Sequence, residues 1–204
     1  MRSELDARTL NWRFVTPDVP GGLLLLPVGA ESLTAAVIPD RTGPSLSAVL
    51  SEGPYLAVAA PDLGPWGGFA GGPERLLARL AAAVRDEGWL CAGFSNPWSP
   101  LRPAGGEHLS LGKARRVLRR AGFGRIDTYL AFPDHRRPAY LTSSGAPELR
   151  YFLRRFFLPY VGDLRGVRAR LKQRALRLIR TATLVTPHPI RIRFAPAYVL
   201  VARR

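Results

Sequence analysis

The strongest constraint on the fold is an alternation of apolar runs and helix-like segments between residues 55 and 134. Residues 55–62 (YLAVAAPD) predict a buried strand that ends in an acid, and residues 74–86 (ERLLARLAAAVRD) have apolar side chains at helical spacing. Residues 88–98 (GWLCAGFSNPW) predict a glycine turn followed by a second strand. Residues 111–134 (LGKARRVLRRAGFGRIDTYLAFPD) predict another helix and strand, so the pattern indicates an α/β fold.

Together these segments resemble the second half of class I S-adenosylmethionine-dependent methyltransferases, and residues 198–204 (YVLVARR) are similar to the last strand of that family. The resemblance covers residues 55–140 and 194–204. It implies a reduced Rossmann-like methyltransferase sheet with an N-terminal strand pair and a basic helical insertion, at about residues 143–193, before the last strand. We expect residues 1–204 to form a single methyltransferase-like domain, because this length suits one sizeable core.

The first half departs from the family where the cofactor would bind. S-adenosylmethionine is held by a strand, a glycine-rich turn and a helix N-terminus, because the backbone has to approach the ligand closely. Residues 23–30 (LLLLPVGA) contain one glycine, Gly29, and no acid before the turn. Asp40 stands at the position of the family's ribose-binding acid, but without the intervening helix. We therefore expect that this chain has lost the cofactor site and binds no cofactor.

The spacing of the first two apolar runs supports this expectation. Residues 23–26 and 35–38 are separated by few residues, and a parallel crossover needs about a dozen or more. The spacing therefore predicts a hairpin. An alternative is an active methyltransferase in which the glycine-rich residues 63–73 serve as an atypical cofactor loop.

The charge is concentrated in the second half of the chain. Residues 1–112 carry 8 Arg and 11 acids, whereas residues 113–204 carry 22 basic and 4 acidic groups within a net charge of +15. Such a surface attracts acidic partners, and we expect an acidic peptide or partner protein. Nucleic acid is less favoured, because the aromatic side chains of residues 151–157 are predicted to lie in the core. The chain could also form homo- or hetero-oligomers.

Composition narrows the class of protein further. The bias toward Arg, Ala, Gly and Pro is typical of a GC-rich bacterial coding sequence. No run is long and apolar enough to span a membrane and the N-terminus is unlike a signal peptide, so we expect a cytoplasmic protein. The single Cys91 lies in an apolar strand and is predicted to be buried and inert. The scattered histidines have no metal-ligand spacing, and we predict no metal site.

The remaining segments are predicted as follows. Residues 11–16 suggest an extended segment, residues 45–51 a short helix, and residues 63–73 and 97–110 two loops that leave the ends of strands. Two helices are predicted in the insertion, at residues 147–157 and 164–181, and the second is basic and amphipathic. In an open parallel sheet, ligands bind outside the carboxyl ends of the strands, so both loops would border that crevice.

Candidate catalytic residues are His108, His135 and Asp134. His108 lies in the loop after the second strand and is either a base near neutral pH or a surface histidine. His135 and Asp134 lie in PDHRRP, directly after another strand. Methyltransferases of natural-product pathways often have a Pro-Asp-Tyr or Pro-Asp-His turn here, so the resemblance implies a structural turn or a substrate contact. Candidate substrate-binding residues, all near strand ends, are Asp62, Trp66, Asn96, Trp98 and Arg136.

The function predicted from these features is a methyltransferase-like protein that has lost cofactor binding and acts in a bacterial natural-product pathway. Its substrate would be a peptide with an acidic leader. It would be either a cyclase- or lyase-type enzyme or an accessory subunit. As an enzyme, a histidine base would promote addition of a thiol to an unsaturated residue, with arginine stabilising the enolate oxyanion. The alternatives are an active methyltransferase and a module that binds an anionic partner.

Overall fold

The computed structural model describes residues 7–17, 22–25, 36–37, 46–99, 108–155, 185–193 and 195–204, together with five positions between 174 and 182. Within these residues, seven strands form one sheet in the order β2-β1-β3-β4-β7-β5-β6. The strands are β1 Leu23–Leu25, β2 Ala36–Val37, β3 Tyr55–Ala60, β4 Val84–Ser95, β5 Arg125–Phe132, β6 Tyr140–Ser143 and β7 Ala197–Arg203.

The sheet is parallel on one side and antiparallel on the other. Neighbouring strands from β2 to β4 pair in parallel. β7 lies antiparallel between β4 and β5, and β6 closes the sheet antiparallel to β5. Because β4 and β5 both oppose β7, the five strands β1 to β5 all end at the same edge. This arrangement confirms the predicted Rossmann-like methyltransferase sheet with an N-terminal strand pair.

Helices cover the sheet and follow local sequence signals. They are a 3-10 helix Ala7–Val15, then α1 Leu46–Ser51, α2 Gly64–Ala70, α3 Pro73–Ala82, α4 Leu111–Arg120, α5 Ala146–Arg155 and α6 His188–Ile192. α3 begins with Pro73, whose missing N–H costs nothing in the first turn. Ser110 caps α4 by accepting the Lys113 N–H at 3.4 Å. α5, α6 and the helical positions between 174 and 185 form the predicted basic insertion.

The core has two parts, one on each face of the sheet. On one face, helices α3 and α4 bury leucines such as Leu80 and Leu118 against Leu90 and Phe94. On the other face, Trp12 from the 3-10 helix packs with alanines and valines of the central strands and with Cys91. Cys91 is fully buried, as predicted, and burial raises the pKa of its thiol to about 12, so the thiolate does not form at neutral pH.

Two of the predictions for the first half are wrong. β1 and β2 do not form a hairpin, because Leu24 pairs in parallel with Ala36 and Leu25 with Val37. A parallel pair requires the chain to run back from the end of β1 to the start of β2. Because these strands are so short, that distance is only about 10 Å, at about 3.3 Å per residue, which the residues between them can span. Residues 11–16 are not extended, because the 3-10 helix places Trp12 against the sheet, where its burial outweighs local preference.

Three further corrections concern segments near the ends of strands. The glycine-rich residues 63–73 contain a helix, α2, rather than only a loop, and buried Trp66 anchors this helix in the core. β6 was not predicted, because its four residues are too short to show a period. The ring of Tyr151 was predicted to lie in the core but is 60% exposed. Phe156, Phe157 and most of residues 164–181 lie outside the described residues.

Candidate functional site

Polar side chains collect at the edge where β1 to β5 end. Asp62 follows β3 by two residues, and His135 follows β5 by three. This edge is where open α/β sheets bind ligands. Asp62 and His135 are buried at 2% exposure each, which is unusual for a carboxylate and an imidazole unless they are paired.

Asp62 is the centre of a three-residue cluster. Its Oδ1 lies 2.8 Å from His135 Nε2 and accepts the Gly64 N–H at 2.9 Å. Its Oδ2 lies 2.9 Å from Arg136 Nε, and the Arg136 side chain is 43% exposed. Asp62, His135 and Arg136 are called the carboxyl-edge cluster below. The cluster combines a shielded carboxylate and imidazole with a cation that reaches the surface.

The turn after β5 sets the directions of His135 and Arg136. Asp134 accepts the backbone N–H groups of Arg136 and Arg137 at 2.8 and 2.9 Å, which folds residues 134–137 into a tight Asx turn. Within that turn His135 is buried and Arg136 is exposed. Asp134 therefore supports the cluster through the backbone. A structural turn at this position is one of the two roles that the family resemblance implied.

Gly93, in β4, has no side chain and so leaves the space that Pro61 and the His135 ring occupy. A Cβ built on Gly93 would lie 2.0 Å from the Pro61 carbonyl oxygen and 3.2 Å from His135 Cδ2. The Gly93 carbonyl also accepts the Leu63 N–H at 2.9 Å. Sequence reasoning missed Gly93. Its signal was a glycine inside an apolar strand, which often marks close backbone approach.

Electrostatics keep Asp62 ionised. Burial raises the pKa of Asp62, but the hydrogen bond and charge of His135 and the charge of Arg136 outweigh it, so the pKa lies below its ordinary value. An ionised Asp62 accepts the proton on His135 Nε2, and this assigns Nδ1 as the basic nitrogen of the neutral ring. His135 Nδ1 is buried and has no hydrogen-bond partner among the described residues.

Asn96, a predicted substrate contact, is instead tied to the backbone. Its Nδ2 donates to the carbonyls of Arg193 and Ala195 at 2.6 and 2.7 Å, and its Oδ1 accepts the Trp98 N–H at 3.1 Å. The side chain is 1% exposed. Asn96 thus joins the end of β4 to the segment that leads into β7. Its partner Arg193 lies 97 residues further along the chain.

Replacing Asn96 with aspartate should therefore be more harmful than replacing it with alanine. Alanine removes two donors from buried carbonyls, at about 1–3 kcal/mol of unfolding free energy. Aspartate would in addition place a carboxylate against those two carbonyl oxygens. Urea denaturation of both variants provides the measurement, and an aspartate variant as stable as the wild type would contradict this role.

The other predicted residues do not join the cluster. Trp66 is 2% exposed and belongs to the core, whereas Trp98 is 74% exposed after β4. His108 forms a bridge with Ser95 beside the end of β4. Among the described residues, no hydrogen bond or ion pair links His108 to Asp62, His135 or Arg136. The structure thus brings together Asp62, His135 and Arg136, with Asp134 in support.

The described residues of the first two strands are apolar, and the residues that follow each strand lie outside the described part of the chain. Gly29 and Asp40 lie outside the described residues. β1 and β2 contribute only leucine, alanine and valine at the edge, and three donors already engage the Asp62 carboxylate.

Comparison with known proteins gives a distant structural likeness. No protein-family model matches the chain. No curated protein matches it either. Among solved structures, the chain is similar to a SAM-dependent methyltransferase from Archaeoglobus fulgidus, with 15% identity, a TM-score of 0.42 and coverage of 86% of this chain and 70% of that one. In the described part of the chain, no helix has both the length and the apolar character needed to cross a membrane.

Proposed function

We propose that this chain is a methyltransferase-like protein that has lost its cofactor and catalyses proton transfer on a peptide substrate in a bacterial natural-product pathway. The observation that supports it is the carboxyl-edge cluster, which places a carboxylate, an imidazole and a guanidinium in contact where α/β sheets bind ligands. No metal or cofactor enters the reaction.

In this proposal His135 is the general base and Asp62 positions it. Asp62 holds the Nε2 proton, so Nδ1 is the nitrogen that accepts a proton, and the carboxylate stabilises the imidazolium that forms. Nδ1 is shielded from solvent, so a covering group has to move before substrate reaches it. This shielding keeps water away from the base in the resting protein.

The reaction is the addition of a substrate thiol to an unsaturated residue. His135 Nδ1 takes the S–H proton while sulfur bonds to the β-carbon, and the electron pair of the C=C bond moves onto the carbonyl oxygen. Arg136, partly exposed beside Asp62, stabilises this enolate oxyanion. The imidazolium then returns the proton to the α-carbon, so atoms and electrons balance without an oxidant or reductant.

A second candidate is an active methyltransferase, and the parallel pairing of β1 and β2 favours it. Both strands end at the edge that carries the cluster, whereas a hairpin would have directed them oppositely. In that case His135 would deprotonate the methyl acceptor. The two candidates differ in whether S-adenosylmethionine binds.

We expect S-adenosylmethionine to leave the melting temperature unchanged and to give no heat in a calorimetric titration. A true ligand at 100 times its Kd would stabilise the protein by about 2.7 kcal/mol. Saturable micromolar binding would overturn the proposed loss of the cofactor and promote the second candidate. Methyl transfer to any acceptor peptide would do the same.

The base is tested with a synthetic acidic peptide that carries one cysteine and one dehydroalanine. His135→Asn should reduce the rate of thioether formation by about 10²-fold or more, because a general base contributes that much. His108→Asn is the matched control and should leave the rate within about twofold. Melting curves confirm that both variants fold. A rate lost in His108→Asn but retained in His135→Asn would contradict the assignment.

A further inference from the structure

An open groove runs between β6, the outermost strand on its side of the described sheet, and α5, the helix that follows β6 in the chain. Its volume is about 450 Å³. Residues of β6 form one wall and residues of α5 the other; they are Tyr140, Leu141, Thr142, Pro147, Glu148, Tyr151 and Phe152. Tyr151 projects from α5 with 60% of its surface exposed. The groove is therefore accessible and mostly apolar.

The strand wall of the groove turns the backbone groups of Leu141 away from β5. β6 is the outermost strand on its side of the described sheet and pairs only with β5 there. The Ser144 N–H donates to the Thr128 carbonyl at 2.9 Å, in register with the pairing of Leu130 with Thr142. In an antiparallel pair, residues alternate between bonding the neighbour strand and facing away from it. The N–H and C=O of Leu141 therefore face outward, where another strand would pair.

Exposed arginines stand close in the chain to residues that line the groove, and they are called its rim below. Arg154 and Arg155 are exposed near the end of α5, and Arg155 stands one helical turn beyond Tyr151 on the same face. Arg137 is exposed three residues before β6. Glu148 is the single acid that lines the groove. This charge balance complements an acidic partner and opposes a basic one.

The groove leads toward the carboxyl-edge cluster. Phe152 of α5 contacts Phe132, at the end of β5, and Tyr140, at the start of β6, with ring centroids 4.6 and 5.3 Å apart. His135 lies between those two residues in the chain. A segment that paired along β6 would therefore extend from the groove toward Asp62 and His135.

We propose that an extended segment of an acidic peptide docks in this groove by adding a strand to β6. Main-chain hydrogen bonds to Leu141 would supply affinity, the rings of Tyr140 and Tyr151 would contact apolar side chains, and acidic side chains would reach the arginines of the rim. The idea that this same peptide carries the reacting thiol rests on the proposed function. The docking itself does not.

The test uses fluorescence anisotropy with a labelled peptide of alternating Glu and Val, long enough to pair with all of β6. Two further versions are N-methylated, one at every Glu and one at every Val. A paired strand directs alternate N–H groups to its neighbour, so one methylated version should lose at least about tenfold in affinity and the other should bind nearly as well as the parent. Equal binding of both would overturn strand addition.

Protein variants locate the site. Tyr151→Glu and Arg155→Glu should each weaken binding of the Glu-Val peptide by about tenfold, because they repel its acids from the groove. Arg116→Glu, on the exposed face of α4, makes the same charge change as Arg155→Glu and should alter affinity by less than about twofold. Equal loss in Arg116→Glu and Arg155→Glu would mean attraction by net charge alone and would overturn the site.

Two controls separate this proposal from others. The anisotropy assay measures peptide binding without thioether formation, so failure of the proposed chemistry would leave the docking result intact. Analytical ultracentrifugation tests the competing occupant, a second copy of this chain paired through β6. A dimer that dissociates in Tyr151→Glu would overturn the assignment of the groove to a peptide.

Discussion

Replacing Gly93 with alanine should lower the free energy of unfolding by about 3 kcal/mol or more, at the upper end of overpacking effects. The new Cβ would lie 2.0 Å from the Pro61 carbonyl oxygen and 2.8 Å from its carbonyl carbon. These are backbone atoms, so no rotamer change relieves the clash, and β3 and β4 would have to separate. The Leu63 N–H bond to Gly93 would be strained at the same time.

Gly112→Ala is the matched control. A Cβ on Gly112 meets no atom within 4 Å, and the residue lies in α4, where alanine is preferred over glycine by about 0.5–1 kcal/mol. Urea denaturation should therefore show a loss of stability for Gly93→Ala and a small gain for Gly112→Ala. A Gly93→Ala protein with wild-type stability would show that the close approach of β4 to Pro61 does not exist in solution.

Replacing Asp62 with alanine should have the second large effect, a loss of about 2–6 kcal/mol in unfolding free energy, because two donors, His135 Nε2 and the Gly64 N–H, lose their acceptor at about 1–3 kcal/mol each. The change leaves His135 Nε2 buried without its acceptor. Asp134→Ala is the control, because Asp134 accepts two backbone donors at the surface, and it should cost about 1 kcal/mol. Equal losses would contradict the central place of Asp62.

The same residue gives the stability a pH dependence. The pKa of Asp62 in the folded protein lies below its ordinary value of 3.8, despite burial, because His135 and Arg136 favour the ionised form. Because this pKa is lowered, the ionised Asp62 contributes its full stabilisation at pH values above its ordinary pKa. The contribution is lost as the pH falls through the pKa that Asp62 has in the folded protein. The stability difference between wild type and Asp62→Asn should therefore be constant above about pH 5 and shrink below about pH 4. A difference that grew on acidification would refute it.

The segments with a clear hydrophobic period were the ones that sequence could predict. α3, α4 and strands β3 to β5 follow from apolar spacing and caps, because a face that is buried over several turns leaves a readable pattern. The two- and three-residue strands β2 and β1 carry no such pattern, so their direction depended on an argument about linker length that proved wrong. α2 was missed because the burial of Trp66 outweighs the cost of its glycines.

The residues of the carboxyl-edge cluster could be singled out from the sequence, but the contacts between them could not be predicted. Asp62, His135 and Arg136 stood out as polar groups at strand ends, yet Asp62 and His135 are 73 residues apart in the chain and nothing in their spacing indicates that they pair. The roles of Gly93 and Asn96 depend on where other backbone segments pass. Such partners are fixed by the assembled sheet and leave no local signal.

The position of β7 constrains how the chain folds. β7 follows all other strands in sequence, yet it pairs along seven residues with both β4 and β5 in the interior of the sheet. During synthesis these two strands therefore wait with open edges until β7 emerges, and pairing of this long sequence separation is slow. We therefore expect the nascent protein to be open to edge-to-edge aggregation until β7 pairs.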